Sequence, residues 1–201
     1  VMLVCAAAAD ADYDLSAFAS SADYIGAIMS RPNENSRRQS AAGLRALLFL
    51  LEKAGVDPAP LVLAREKSGR PYFAGSDIKF GISHSGSLAV CALSDSDVGI
   101  DIERVRDVRN AAALAERHFS PSELAWAGEM TAEKFFTVWT KKEALLKRDG
   151  RGVDCDLRAV DTAAEDFGVY LLRYGGDKYI VSVCGGEDIT TAGGIRWERK
   201  S

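Results

Sequence analysis

The sequence has few residues that bind metals through nitrogen or sulfur. Its 201 residues include two histidines and four cysteines. The cysteines are widely separated, at Cys5, Cys91, Cys155 and Cys184. Zinc sites use closely spaced pairs of these ligands, so the spacing argues against a zinc site. Unpaired cysteines are typical of free thiols in a reducing compartment, and we expect a cytoplasmic protein.

Long apolar runs and an excess of positive charge are also absent. No apolar run approaches the ~18 residues that a membrane span needs. The apolar start, residues 1–9, has no cationic segment before it, so we expect no signal peptide. The net charge is −4 and the isoelectric point is near 5.3. This balance argues against a general nucleic-acid-binding protein, and we expect no nucleic-acid and no membrane partner.

Hydrophobic residues make up 47% of the chain, which is enough for the core of one domain or of two small fused lobes. Apolar periodicity predicts strands over residues 1–9, 61–64, 71–73, 78–83, 88–93, 98–103, 169–173 and 179–184. It predicts helices over residues 36–53, 108–118, 121–127 and 132–148. The order strand, helices, strands thus occurs twice. We predict an α+β fold of two similar lobes, residues 1–96 and 97–201, about a pseudo-twofold axis.

Two segments each place acidic side chains on one face. In the strand-like run Gly-Ile-Asp-Ile-Glu, Asp101 and Glu103 point to the same side. On the following helix, Trp139, Glu143 and Lys147 are spaced i, i+4, i+8 and share a face. Taken alone, each pattern is also typical of a half-exposed strand or a solvated helix. Together, three carboxylates and one ammonium suit a hard divalent cation that carries a phosphate ligand.

A histidine follows an apolar strand in the turn Ser-His-Ser-Gly. His84 stands at the strand end, where functional groups collect, although a purely structural turn is the alternative. A Ser-His-Asp hydrolase with Ser83 or Ser85 as nucleophile is a further alternative. Adjacent residues on a strand diverge, however, and no Gly-x-Ser-x-Gly elbow is present, so the sequence argues against it.

Other candidate residues are basic or lie at a helix start. Arg37, Arg38 and Arg70 carry the planar guanidinium that suits phosphate, although solvent exposure explains each singly. Glu123 stands three residues after Ser120, which is the spacing of a capping box.

These segments occur in an order that resembles the Sfp-type 4′-phosphopantetheinyl transferase family. The resemblance runs from about Arg37 to Gly152. Its most specific parts are the Gly-Ile-Asp-Ile-Glu and Trp-Thr-x-Lys-Glu-Ala blocks. Two positions depart from many members: Arg70 replaces the lysine of Gly-Lys-Pro, and Gly81 replaces the asparagine before Ile-Ser-His-Ser. The resemblance implies the fold of this family, as a monomeric pseudo-dimer.

The family transfers the phosphopantetheine arm of coenzyme A to a serine of an apo carrier protein. It releases adenosine 3′,5′-bisphosphate and requires Mg²⁺. The resemblance therefore implies a transferase whose partners are coenzyme A and an acyl, polyketide or peptidyl carrier protein. Fatty-acid, polyketide and nonribosomal peptide carriers all stay open, because each needs the same active site.

The resemblance also implies the metal and phosphate contacts. It implies that Asp101, Glu103 and Glu143 are ligands of Mg²⁺. Lys147 and His84 would contact the phosphates of coenzyme A and, with Glu143, take part in catalysis.

The remaining roles concern the nucleotide and the proton. Arg37, Arg38, Arg70 and Ser83 fall where the family holds the 3′-phosphate and the adenine. Glu123 matches the position proposed to take the proton from the carrier serine.

Two other functions stay open at this stage. One is a coenzyme A or carrier-protein binding module that has lost turnover, which the intact set of acids and lysine argues against. The other is a magnesium-dependent phosphohydrolase, because the same metal chemistry would serve water as nucleophile.

Four arginines after the acidic strand could steer an acidic carrier, although surface arginines need no partner: Arg104, Arg106, Arg109 and Arg117.

Overall fold

A computed structural model describes residues 1–151, 155–163, 165–185 and 188–200. Within these ranges the chain forms five α-helices and ten β-strands, so the predicted α+β class is confirmed. Gly152, at the end of the resemblance, lies outside the described residues.

The strands and helices have the following bounds. The strands are β1 (Met2–Ala8), β2 (Val62–Arg65), β3 (Pro71–Ala74), β4 (Lys79–Ser85), β5 (Leu88–Ser94), β6 (Gly99–Arg104), β7 (Gly168–Tyr174), β8 (Asp177–Cys184), β9 (Ile189–Ala192) and β10 (Trp197–Arg199). The helices are α1 (Ala22–Met29), α2 (Glu34–Lys53), α3 (Ala111–His118), α4 (Pro121–Ala127) and α5 (Ala132–Arg148). Short 3₁₀ turns cover Ala19–Ser21 and Leu157–Ala159.

The helix ends follow local chemistry. Helices α4 and α5 have the predicted bounds, and each begins after a hydroxyl residue, Ser120 or Thr131, whose side chain caps it. Helix α3 begins three residues later than predicted, because Asn110 adopts a left-handed backbone with φ of 59°. Strands β9 and β10 were not predicted, since they have only four and three residues.

Two four-stranded sheets form the centre of the molecule. The first has the order β4-β5-β1-β9 and the second β10-β7-β8-β6, while β2 and β3 form a separate hairpin. One apolar cluster contains side chains of both sheets, including Val4 and Val90 of the first and Ile102 and Val181 of the second. Helix α2 packs on the first sheet and α5 on the second. The order of layers is therefore helix, sheet, sheet, helix.

One strand from the second half of the sequence belongs to the first sheet. Strand β9 pairs in parallel with β1, so that Leu3 lies opposite Thr190. The boundary at residues 96 and 97 and the pseudo-twofold relation both stay predictions. The edge strands β4 and β6, one from each sheet, lie against each other. This meeting of edges positions the site.

Candidate functional site

The close approach of α5 to β6 brings the two acidic segments together. A Cβ added to Gly99, the first residue of β6, would overlap the carbonyl oxygen of Ala144 on α5. The absence of a side chain at Gly99 therefore lets the helix backbone rest on the strand. The first residue of the Gly-Ile-Asp-Ile-Glu block must therefore be glycine for α5 to pack this closely on β6.

Asp101 is the centre of a charged cluster between β4, β6 and α5. Its Oδ1 atom lies 2.5 Å from Nζ of Lys147 and accepts a 2.7 Å hydrogen bond from Oγ of Ser83. Lys147 Nζ also donates to Ser83 Oγ at 3.0 Å. Asp101 is 5% exposed, so water has little access to its carboxylate. The ammonium of Lys147 therefore balances its negative charge. Three of the predicted residues therefore make direct contact.

The second acid of β6 has a matching serine on β4. Oγ of Ser85 donates to Oε2 of Glu103 at 2.9 Å and accepts from the backbone N–H of Arg104 at 3.0 Å. Arg106 donates to the same carboxylate oxygen at 3.2 Å. Ser85 was not predicted as a site residue. The alternation of Ser83 and Ser85, which mirrors that of the acids, is the signal that could have found it.

Glu143 completes the acidic group from α5. Burial raises its pKa above the ordinary value of 4.5, the charges of Asp101 and Glu103 raise it further, and Lys147 opposes them. Glu143 is thus near enough to Asp101 and Glu103 to be repelled by their charges, and Lys147 offsets part of this repulsion. Excess negative charge on hard oxygen donors is the chemistry that Mg²⁺ prefers.

Lys147 offsets part of this negative charge. Among the residues that the structure describes, no three His, Cys, Asp or Glu side chains are grouped so that they could hold a metal ion as they stand. The donor chemistry fits the predicted metal, and the metal role of these three acids stays a prediction.

His84 lies one residue from Ser83 on β4, and its side chain is exposed. Neighbouring protein nevertheless removes enough water to lower the pKa of the imidazole below 6.5, and the charge of Lys147 adds to this. Arg31 lowers the same pKa, so its cation lies near the site. Arg31 donates to Oγ of Ser40 at 2.9 Å. Sequence reasoning missed Arg31, since it stands in a break before α2 and shares no pattern with the acids.

The three arginines predicted to hold the nucleotide are already engaged. Arg37 donates to the carbonyl of Arg31 at 2.6 Å, and Arg38 forms an exposed ion pair with Glu34 at 2.9 Å. Arg70 donates to the carbonyl of Lys147 at 2.8 Å, at the end of α5. The side chain of Arg70 thus caps the helix that carries Glu143 and Lys147, and the three nucleotide contacts stay predictions.

Glu123 lies in a different environment from the acids above. The predicted capping box with Ser120 is present. The carboxylate is 3% exposed, and its Oε2 atom lies 2.7 Å from Nζ of Lys142, which is 1% exposed. Glu123 is therefore part of a buried ion pair beneath α4.

A groove lies beside the acidic cluster and includes Glu103 in its wall. Its volume is about 420 Å³. Apolar side chains line it on α3 and α5, including Leu114 and Trp139, while Arg106 and Arg109 stand among its lining residues. The groove thus combines an apolar wall with basic groups.

In the described part of the chain, every helix is too short or too polar to cross a membrane.

Comparison with known proteins agrees with this geometry. The sequence model of the 4′-phosphopantetheinyl transferase superfamily matches residues 97–192, which include Asp101, Glu103, Glu143 and Lys147. The chain is 34% identical over 119 residues to a 4′-phosphopantetheinyl transferase of Bacillus subtilis, with 57% of this chain and 52% of that protein aligned. It is 36% identical over 127 residues to the 4′-phosphopantetheinyl transferase HetI of Nostoc, with 58% and 54% aligned.

A third relative is the 4′-phosphopantetheinyl transferase AcpT of Salmonella typhi. It is 34% identical over 132 residues, with 62% of this chain and 65% of that protein aligned. The chain spans about half the length of the first relatives it matches. The matched segment carries the acidic strand and the helix whose side chains meet in the cluster described above, and residues 97–192 are similar to the 4′-phosphopantetheinyl transferase superfamily.

Proposed function

We propose that the chain transfers the 4′-phosphopantetheine arm of coenzyme A to a serine of an apo carrier protein. The observation that carries the proposal is the meeting of Asp101 and Glu103 on β6 with Glu143 and Lys147 on α5. The names of the relatives support the reaction class. In the reaction, the serine oxygen bonds to the β-phosphorus, the bond from that phosphorus to the bridging oxygen breaks, and adenosine 3′,5′-bisphosphate leaves.

Asp101, Glu103 and Glu143 are the residues that would hold Mg²⁺. When bound, the ion would neutralise the charge that develops on the bridging oxygen. The three carboxylates contribute the oxygen donors, and Ser83 and Ser85 orient two of them through hydrogen bonds of 2.7 and 2.9 Å. Such outer hydrogen bonds fix a carboxylate before its ligand arrives.

Lys147 and His84 are the groups that would contact the phosphates. Lys147 carries a side chain that is 37% exposed, so its ammonium is accessible from solvent. The neutral imidazole of His84 can donate one hydrogen bond and would gain a proton beside an anion. Arg31 adds a third positive group near them. We infer that the 3′-phosphate and adenine side lies towards the first sheet, where Arg37, Arg38 and Arg70 were predicted to act.

We also infer that one chain is sufficient for the site. Ser83 belongs to the first sheet, Asp101 to the second and Lys147 to the helix on the second, yet all three make contact within one chain. The proposal is therefore a monomer with two lobes, which measurement of the molar mass by light scattering would test.

The deciding experiment uses the purified chain, coenzyme A, Mg²⁺ and an apo carrier protein, with the mass of the carrier as the readout. A gain of one phosphopantetheine supports transfer, and a panel of acyl, polyketide and peptidyl carriers would identify the partner. Phosphate release without a carrier would instead indicate a hydrolase. Tight binding of coenzyme A with neither product would indicate a binding module.

A further inference from the structure

Lys142 is the most buried charged residue of α5, although the neighbouring Glu143 faces the acidic cluster. Its side chain is 1% exposed. Its ammonium donates to Oε2 of Glu123 at 2.7 Å, to the carbonyl of Leu157 at 2.8 Å and to the carbonyl of Val160. An ammonium has three N–H donors, and all three have acceptors here.

Glu123 is equally well supplied with partners. Its Oε2 atom accepts from the backbone N–H of Ser120 at 2.8 Å as well as from Lys142. Its Oε1 atom accepts from the backbone N–H and the hydroxyl of Thr162, at 3.0 and 2.8 Å. Buried charges persist when they are paired and fully hydrogen-bonded, and both members of this pair meet that condition.

The pair joins three segments that do not otherwise form one element. Glu123 belongs to α4, whose N-cap residue Ser120 also donates to it, and Lys142 belongs to α5. The remaining acceptors and donors lie within residues 157–162. Successive residues on a helix are rotated by about 100°. A side chain anchored in the interior at position 142 therefore sets the direction in which the next residue points.

We propose that the buried Glu123–Lys142 pair is a clamp that sets the rotation of α5 about its axis and so holds Glu143 and Lys147 towards Asp101. Glu123 and Lys142 are then positioning residues of the proposed transferase site, and this part of the inference rests on that proposed function. The clamp is an alternative to the predicted role of Glu123 as the base that takes the serine proton. A base must lie within hydrogen-bond reach of the proton it takes, whereas Glu123 has four donors around it and is 3% exposed.

A double-mutant cycle on unfolding tests the clamp directly. The variants are Glu123→Gln, Lys142→Met and the two combined. Each single substitution leaves one buried charge without its partner, so the unfolding equilibrium constant should rise by about 10²-fold or more. The combined variant leaves no buried charge, and its effect should be far smaller than the product of the two single effects.

A matched control uses an exposed Glu–Lys pair that joins the start of α5 to β8. Glu133 and Lys178 form an ion pair at 3.0 Å with side chains 36% and 44% exposed. The cycle of Glu133→Gln with Lys178→Met should show a coupling of no more than about fivefold, since exposed pairs couple weakly. A coupling at Glu123–Lys142 no larger than this control would overturn the clamp.

Turnover distinguishes a clamp from a base. With a clamp, both single variants lower kcat without changing the shape of its pH profile, and the combined variant regains part of kcat. With a base, Glu123→Gln alone lowers kcat and removes the acidic limb of the profile, Lys142→Met does not, and the combined variant stays as inactive as Glu123→Gln. That second pattern would overturn the proposal.

A measurement on the wild-type protein covers the case in which the single variants do not fold. The N–H of Thr162 lies outside the helices and strands of the described chain but donates to Glu123. Its hydrogen exchange should be as slow as that of the central amides of α5. Fast exchange would contradict the clamp. The unfolding and exchange measurements need neither coenzyme A nor a carrier, so they test the clamp separately from the transferase activity.

Discussion

The Nζ atom of Lys147 lies 2.5 Å from Oδ1 of Asp101, across 46 residues of sequence. This ion pair joins α5 to β6 at the point where Glu143 also adds negative charge. In the proposed reaction, Asp101 would help to hold Mg²⁺ and Lys147 would contact a phosphate of coenzyme A.

Replacing Asp101 with Asn should therefore affect transfer far more than folding. The amide retains the shape and the hydrogen bond from Ser83, but it supplies no charge to a cation. We expect the transfer rate to fall by at least ~10²-fold, with little loss of stability because the lysine keeps access to water. Single-turnover assays and thermal unfolding would measure both. The control is Asp97→Asn, whose exposed pair with Lys79 spans 3.9 Å; an unfolded Asp101→Asn protein, or one with normal turnover, would contradict the assignment.

Glu143→Gln should make the protein more stable and less active. The pKa of Glu143 is raised in the folded state, so its ionised form is disfavoured there. Ionised Glu143 therefore destabilises the folded protein, and this effect is complete at a pH above the pKa of Glu143 in the folded protein. The effect disappears as the pH falls below the ordinary pKa of 4.5. The melting temperature of the variant should thus exceed that of wild type at neutral pH, and the difference should vanish in acid.

Added MgCl₂ separates the two effects of this substitution. Wild type should gain stability from the ion, whereas Glu143→Gln should gain less, because it lacks one proposed ligand. The exposed Glu116→Gln variant on α3 serves as the control. Equal stabilisation of all three proteins by MgCl₂ would show that Glu143 does not bind the ion.

Binding of coenzyme A should take up a proton through His84. In the protein without coenzyme A, the pKa of the His84 imidazole lies below 6.5, and an adjacent phosphate would raise it. Affinity should therefore increase as the pH falls from the pKa of the complex towards the pKa of the free protein, by at most about tenfold per pH unit. Calorimetry in buffers of different ionisation enthalpy would count the proton. His84→Gln should abolish the uptake and His118→Gln should retain it; the reverse result would assign the proton to the other histidine.

Gly99→Ala should disturb both stability and activity. The added methyl group overlaps the backbone of α5 at Ala144, which cannot yield as a side chain can. We expect a loss of about 1–3 kcal/mol in the free energy of unfolding, together with reduced transfer. Chemical denaturation would measure the change. Gly26→Ala in α1 is the control, because its Cβ would meet open space and should be neutral or stabilising; equal stability of the two variants would refute the packing argument.

Carrier docking should depend on arginines that have no role inside the cluster. Arg106 contacts Glu103 and lies 4.9 Å from the ring centroid of Phe136, so its reversal would disturb the site itself. Arg109→Glu with Arg117→Glu is the cleaner change. At low salt we expect the KM for an acidic carrier to rise several-fold while the KM for coenzyme A stays constant, and added salt should reduce the difference.

A distant reversal provides the comparison for docking. Arg196 is 87% exposed in its side chain, and Arg196→Glu changes the net charge per substitution by the same amount. A general effect of net charge would raise the carrier KM for this variant as well. An unaltered carrier KM in the double reversal would mean that docking depends on apolar contacts, such as those that Leu114 offers in the groove.

The sequence by itself determined the local elements and which side chains share a face. The alternation of Asp101 with Glu103, the four-residue spacing of Glu143 and Lys147 and the capping box at Ser120 all follow from backbone periodicity, and the structure has each of them on the predicted element. Local patterns of this kind need no knowledge of distant residues, because the period comes from the strand or helix itself.

Only the tertiary structure decided which distant groups meet. No pattern indicates that Arg70 caps α5, that β9 pairs with β1, or that Lys142 is buried with Glu123 while the adjacent Lys141 is half-exposed. These contacts depend on how sheets and helices pack, as at Gly99, where a missing side chain permits the approach. Packing is a property of the whole chain, since each contact requires segments far apart in sequence to fit together without overlap.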